Sequence, residues 1–150
     1  MDGIAQSDRD DLVHRVGSLS ERFVAAGWGF FVVGGVVRDL LLGKRSGDID
    51  ITTDAQPGET ASILGDWGDA VWDQGARFGT IGARCGDTVV EVTTHRSEQY
   101  EQTSRKPQVK FSGAIEDDLA RRDFTVNSMA IEFPSWRLVD PFHGREHLEQ

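Results

Sequence analysis

Apolar positions along the chain recur at helical spacing in some stretches and in short continuous runs in others. Leu12, Val16, Leu19 and Phe23 return every three or four residues with charges between them. That spacing predicts a helix with one face on a core, capped by Ser7 or Asp8 and running to about Ala26. Gly27 then ends it. The run Trp28 to Val33 is apolar, partly β-branched and too short for a helix, so it predicts a buried strand. Val36 to Leu42 reads as a short helix closed by Gly43, with Lys44 suited to the negative end of its dipole. Asp48 to Thr53 predicts a second strand, and Pro57 stands at the first position of a helix carrying Glu59 to Leu64.

The second half is read the same way. Residues 65–75, rich in glycine and aspartate, predict a turn and a short strand, and Trp67 and Trp72 within them are assigned to the core rather than to base stacking. Phe78 to Arg84 and Thr88 to Thr94 are β-rich runs joined by Cys85, Gly86 and Asp87, which predicts a hairpin. From His95 to Gly113 the chain turns polar, and a mobile surface loop is expected. Ile115, Leu119, Val126, Met129 and Ala130 supply an apolar face broken near Asp123 and Phe124, so Ala114 to Ala130 predicts two helical pieces with a bend. Trp136 to Val139 predicts a last short strand.

Composition narrows the function classes. At 150 residues, 38% hydrophobic and 27% charged, one domain with a core is the default. The balance is acidic, 25 Asp plus Glu against 16 Lys plus Arg, so the chain as a whole lacks the footprint of a self-sufficient nucleic-acid binder. Any grip on RNA must be local, or lie outside this chain. Arg96, Arg105, Lys106 and Lys110 in the polar loop offer such a patch for an RNA end or a triphosphate, or are incidental charge on a solvated loop; salt sensitivity separates the two. The lone Cys85 excludes an internal disulfide framework and a multi-cysteine zinc site, and is taken as structural. No apolar run is long enough to span a membrane, and the acidic start is unlike a signal peptide, so a cytoplasmic protein is expected.

Candidate chemistry concentrates between Phe31 and Thr53. Gly34 and Gly35 follow the first strand and open a helix, where bare backbone can approach an anion, and Arg38 lies in the first turn, within reach of the same phosphates. Asp48 and Asp50, two apart on a strand, would project from one face. Two adjacent carboxylates repel unless a cation lies between them, and hard oxygen ligands favour magnesium, with substrate phosphates completing its shell. A bare D-x-D or a lone Gly-Gly turn is most often only a solvated turn; their combination is what points to a nucleotide and metal site. Glu91, between valines, is either the solvent-facing member of an alternating strand or a third carboxylate aimed at that site. His143, Glu146 and His147 match H-x-x-E-H, a zinc-protease pattern that chance supplies easily and that Gly144 weakens.

The stretch GGVVRDLLLGKRSGDIDITT resembles the first signature of the class II tRNA nucleotidyltransferases and their bacterial poly(A) polymerase relatives, within the DNA polymerase β nucleotidyltransferase superfamily. DDLARRDFTVNSMAIE resembles the family's second signature, with Ser128 where relatives commonly carry alanine, and DPFHGREHLEQ resembles the third. The resemblance runs from about Phe23 to Leu148. It implies an α/β (α+β) head of DNA polymerase β-like fold, with a mixed or antiparallel sheet flanked by helices. It implies transfer of CMP or AMP from CTP or ATP to the 3′-hydroxyl of tRNA, with two magnesium ions on Asp48 and Asp50 and with pyrophosphate released. Gly34, Gly35 and Arg38 would hold phosphates, Arg122 and Asp123 the nucleotide sugar, and Glu91 would assist one ion. The implied organisation is an N-terminal helix over 1–27, a catalytic core over 28–140, and at 141–150 the start of a connection to a neck. The neck residues that choose between bases, and the later domains that grip tRNA, are not among these 150 residues. The chain looks like a fragment, expected to bind nucleotide weakly and to add none by itself. A poly(A) polymerase head and a nucleotide-binding domain without turnover stay open as alternatives.

Overall fold

A computed structural model describes residues 3–44, 47–100, 107–111 and 114–149, and the side chains outside 96–111. The first helix, α1 (Gln6–Ala25), buries Leu12, Val16, Leu19 and Phe23, the stripe its spacing predicts. Its N-cap is Ala5, with no side-chain cap bond, rather than Ser7 or Asp8. Gly27 at φ +89 lets the chain reverse, and the N–H of Trp28 returns to the Phe23 carbonyl at 2.9 Å, closing the helix end.

Strands β1 (Phe30–Val33), β2 (Ile49–Thr53), β3 (Ala70–Trp72), β4 (Thr80–Cys85), β5 (Thr88–Thr94), β8 (Ala130–Phe133) and β9 (Arg137–Val139) form one seven-stranded sheet, ordered β3-β4-β5-β2-β1-β8-β9. Only β2 and β5 run parallel; the remaining pairs are antiparallel. The mixed sheet flanked by helices is the fold the sequence predicts. Four strands begin later than expected: β1 starts at Phe30, β2 at Ile49 and β4 at Thr80, with Phe78 in a 3-10 turn before it, and Trp136, at φ +62, stays outside β9.

The sheet's two faces differ. Phe30, Val32, Ile49, Ile51, Ile81, Ala83, Val90, Val92, Ile131 and Phe133 point to one side, where α1, α2 (Gly35–Leu41) and α3 (Pro57–Trp67) complete the main core. On the other side, α4 (Ile115–Ala120) lays Ile115 and Leu119 against Phe31, Val33, Ala130 and Val139. That helix covers the β1, β8 and β9 end only. The floor formed by β2, β5, β4 and β3 is left polar, because Asp50, Glu91 and Thr93 alternate with the buried valines and isoleucines.

Three further expectations change. The helix after Pro57 continues to Trp67, whose indole N–H donates to Ser18 Oγ at 3.1 Å, so Trp67 belongs to a helix rather than a turn. The polar stretch after His95 is not a loop throughout: β6 (Arg96–Tyr100) and β7 (Pro107–Phe111) pair antiparallel as a separate ribbon. Strand pairing here comes from backbone hydrogen bonds, which a polar composition does not forbid. The basic side chains expected on that stretch lie outside the described residues. After α4 the predicted bend occurs at Asp123 and at Phe124, whose φ is +64, but the second piece is only a short 3-10 turn, Thr125–Asn127. The last helix, α5 (Gly144–Leu148), is capped by Asp140, which accepts from the N–H groups of Gly144 and Arg145 at 2.7 and 3.0 Å.

At the root of the ribbon, His95 is 1% exposed and packs on Phe31 with ring centroids 5.6 Å apart. The Thr52 hydroxyl donates to the Thr93 carbonyl at 2.9 Å, so it accepts from His95 Nδ1 at 2.8 Å, which fixes the neutral tautomer. Burial pushes the imidazole pKa down, partly opposed by the charges of Asp118, Asp54 and Glu116. The unfolded chain therefore takes up a proton near the ordinary value of about 6.5, while the folded one does not until lower pH. Stability is full above that value and falls below it, by up to about 1.4 kcal/mol per pH unit, until the folded group titrates. Urea unfolding of the wild type and of His95→Gln across pH 7.5 to about 5 checks this. The variant is expected to be less stable throughout and to lack this component of the slope; parallel curves would assign it to other groups.

Candidate functional site

The site grows from the junction of β1, α2 and β2. Gly34 sits at φ +74 and ψ −138, a conformation open to glycine and strained for other residues. Its N–H is spent on the Met129 carbonyl at 3.4 Å, so Gly34 supplies a bend and bare surface rather than a donor. The N–H groups of Gly35 and Val36, at the start of α2, have no acceptor within that helix. Beyond this bare turn stands the Asp50 carboxylate: a side chain at Gly34 would meet Asp50 Oδ2 at 3.9 Å and Arg122 Nη1 at 3.6 Å. Both are ordinary van der Waals distances, so it is the positive φ, not a clash, that favours glycine here.

Asp50 lies on β2 between the buried Ile49 and Ile51, which fixes it on the open face. Asp48 precedes the strand, so alternation along β2 does not set its direction as the sequence reading assumed. Its charge nonetheless acts on Asp50. Although Asp50 borders solvent, the protein around its carboxyl raises its pKa by desolvation first; Arg122 opposes this and Asp48 adds to it. The protein around Asp50 thus opposes its charge more than Arg122 offsets. Glu91 of β5 is in register with Asp50 across the parallel pair, so the two project from the same face. Among the described residues no set of three or more metal-ligating side chains is already gathered as a cage. A magnesium ion fits two carboxylates and takes its other ligands from phosphates and water. This donor set is of that kind.

The two arginines are each held by a residue of the second signature, Arg38 by Asn127 and Arg122 by Asp118. Arg38 donates from Nη1 to Asn127 Oδ1 at 3.1 Å and from Nε to Asp39 Oδ1 at 3.2 Å, which leaves Nη2 over Gly35. Arg122 donates from both Nε and Nη2 to Asp118 Oδ1, each at 3.2 Å, so its remaining Nη1 is the edge turned towards Gly34 and Asp50. Asp118 is fully buried and also faces Arg121 Nε, 3.5 Å from its other oxygen. Asp123, next to Arg122, is exposed in the turn after α4. Gly34, Gly35, Arg38, Asp50 and Arg122 are therefore adjacent, with Asp48 and Glu91 bordering them.

Sequence reasoning missed Asp118 and Asn127 as parts of the site. The signal was present in the i and i+4 spacing of Asp118 and Arg122 and in the asparagine of the same motif. The zinc-protease pattern does not assemble: His147 Nδ1 is bonded to Thr125 Oγ1, and His143 is 3.9 Å from Glu146 on the surface.

With this geometry in place, comparison with known proteins is direct. The family described as the poly A polymerase head domain matches residues 30–150. The CCA-adding enzyme of Listeria monocytogenes is 39% identical over 130 residues, covering 86% of this chain and 32% of that enzyme. A solved structure of the Bacillus stearothermophilus CCA-adding enzyme in complex with CTP aligns with a TM-score of 0.75 and 34% identity, over 91% of this chain and 31% of that one. The Thermotoga maritima CCA-adding enzyme complexed with tRNA aligns at 0.70 and 27%, over 99% and 32%. The chain spans about a third of the length of these relatives.

Asp118→Asn should expose what the buried carboxylate holds. Removing one partner of a buried ion pair costs about 3–5 kcal/mol, and the partial exposure of both arginines brings the expected loss to the lower end. Urea unfolding measures it. A loss under about 1 kcal/mol, the range of an exposed pair, would contradict the assigned role.

Proposed function

The chain belongs to the poly A polymerase head-domain family, and from that membership we propose that it is the catalytic head of a tRNA nucleotidyltransferase that adds CMP and AMP to a 3′-hydroxyl. The observation that carries the reading is Asp50 beside a glycine turn, coupled to Asp48 and faced by Arg122. The relatives named as CCA-adding enzymes, among them one solved with CTP and one with tRNA, favour CCA addition over poly(A) addition. In this reading residues 28–140 are the catalytic core and α1 supports it.

Each residue's role follows from charge and position. Asp48 and Asp50 would hold magnesium, with Glu91 as a further carboxylate on the same face. Two such ions, when bound, would lower the acceptor hydroxyl's pKa and neutralise the triphosphate. Gly34 and Gly35 leave room for the phosphates to approach the backbone, and Arg38 reaches them by charge-assisted hydrogen bonds. Arg122, anchored through two of its nitrogens, offers the third to the nucleotide, and Asp123 is suited to accept from ribose hydroxyls. Anchoring lowers the entropy lost when the guanidinium engages its ligand, which is the advantage of a preorganised site. Base choice and the grip on tRNA are assigned to the rest of a longer enzyme.

Calorimetric titration with CTP or ATP, with and without magnesium, tests the reading. Binding is expected to require magnesium in the wild type, and Asp48→Ala or Asp50→Ala should remove the magnesium-dependent part. In an enzyme that contains this head, either variant should lower kcat by about a thousandfold or more, since metal-ion stabilisation of a phosphoryl transition state is worth several kcal/mol. Nucleotide binding indifferent to magnesium in the wild type, or unaltered in both variants, would sink the proposal.

A further inference from the structure

The open floor of the sheet carries one aromatic side chain that neither the core nor the proposed nucleotide contacts account for. Trp28, Trp67 and Trp136 pack against the main core. Trp72 does not share their position. It lies on β3 in register with Gly82 of β4, which is in register with Glu91 of β5, itself in register with Asp50 of β2. Residues in register on neighbouring strands project from the same face, so these four form one row across the open side. The assignment of Trp72 to the core is therefore corrected: its half-buried indole stands at the end of the carboxylate row.

Gly82 shows how closely. A Cβ built there would lie 1.9 Å from Trp72 Nε1, 2.2 Å from Cε2 and 2.7 Å from Cζ2. The indole occupies the space any other residue would fill, leaning across β4 towards Glu91. At about 4.8 Å between strands, it ends roughly 10 Å from the Asp50 backbone. A tryptophan tucked over a glycine, half exposed and beside acids that would hold phosphate-bound metal, has the makings of a surface for a flat ring.

Which ring follows from the sides of the site. The bare glycine turn, Arg38 and Arg122, the groups suited to a triphosphate, all stand on the β1 and α2 side of Asp50. Trp72 stands on the opposite side, beyond Glu91. In an in-line displacement the attacking hydroxyl and the departing pyrophosphate lie on opposite sides of the reacting phosphorus. We propose that Trp72 is a stacking platform for the 3′-terminal base of the RNA acceptor, kept in place by the absence of a side chain at Gly82. This rests on the function proposed above. Stacking on an aromatic face tolerates any base, which suits an acceptor whose last nucleotide changes as the end grows.

The test measures RNA and nucleotide binding separately on the same protein. A short single-stranded RNA ending in cytidine is titrated in magnesium, following tryptophan fluorescence and, independently, anisotropy of labelled RNA. Trp72→Leu is expected to weaken RNA affinity about tenfold and to abolish most of the fluorescence quench. Trp72→Phe should restore affinity to within about threefold of wild type, since a phenyl ring still stacks. Trp67→Phe, on the other face, should keep the quench. Magnesium-dependent binding of CTP or ATP should be unaltered in Trp72→Leu, and thermal melts of all variants report folding. Unaltered RNA affinity in Trp72→Leu, equal losses in Trp72→Leu and Trp72→Phe, or no RNA binding by the wild type would each overturn the platform. Failure of the underlying reading shows elsewhere, as nucleotide binding that ignores magnesium.

Discussion

The carboxylate of Asp50 borders solvent on the open face of the sheet, with protein packed beside it and a second carboxylate nearby. Desolvation and Asp48 both work against its charge, and Arg122 is the neighbouring group that works for it. The surrounding architecture serves this unstable arrangement. Arg122 faces Asp50 with two of its nitrogens held by Asp118, a residue of α4 that is fully buried. The helix that covers one half of the sheet thus aims the charge that balances the other half. A carboxylate whose charge is opposed in this way gains from a nearby cation, which supports the metal role proposed for it.

The division of the second face follows from the same economy of elements. Short α4 packs on Phe31, Val33, Ala130 and Val139, at the β1, β8 and β9 end of the sheet. What lies beyond it must be tolerable in water, and the alternation of β2 and β5 supplies acids and threonines there while their valines and isoleucines feed the main core. Because β2 and β5 run parallel, the acids of the two strands meet in register, although 41 positions separate them in the sequence. Trp72 marks the far limit of that floor. Its neighbour Trp67, five residues earlier, ends up on the opposite side of the molecule because it finishes a helix packed on α1.

The two signatures are also tied to each other by contacts that neither contains alone. Arg38 from the first is held by Asn127 from the second, and the N–H of Gly34 from the first donates to the Met129 carbonyl of the second. The glycine turn and the arginine turn are consequently one structural unit, and displacement of either would carry the other with it. His95 joins the same face of the sheet through Thr52, two residues along β2 from Asp50.

By itself the sequence determined the order and type of most elements, the buried stripe of α1, the alternation of β2 and β5, and the residues of the glycine turn and the acid pair. These are local properties: period, β-branching, glycine at a positive φ, charges at short spacing. It also carried enough of three signatures to point to the family. Only the tertiary structure decided the pairing of a polar stretch into the β6 and β7 ribbon and the gripping of Arg122 by Asp118. It alone separated two tryptophans five residues apart into a core residue and a surface beside the acids. Strand register and the face a side chain takes depend on which distant strands become neighbours, and nothing in a run of ten residues encodes that choice.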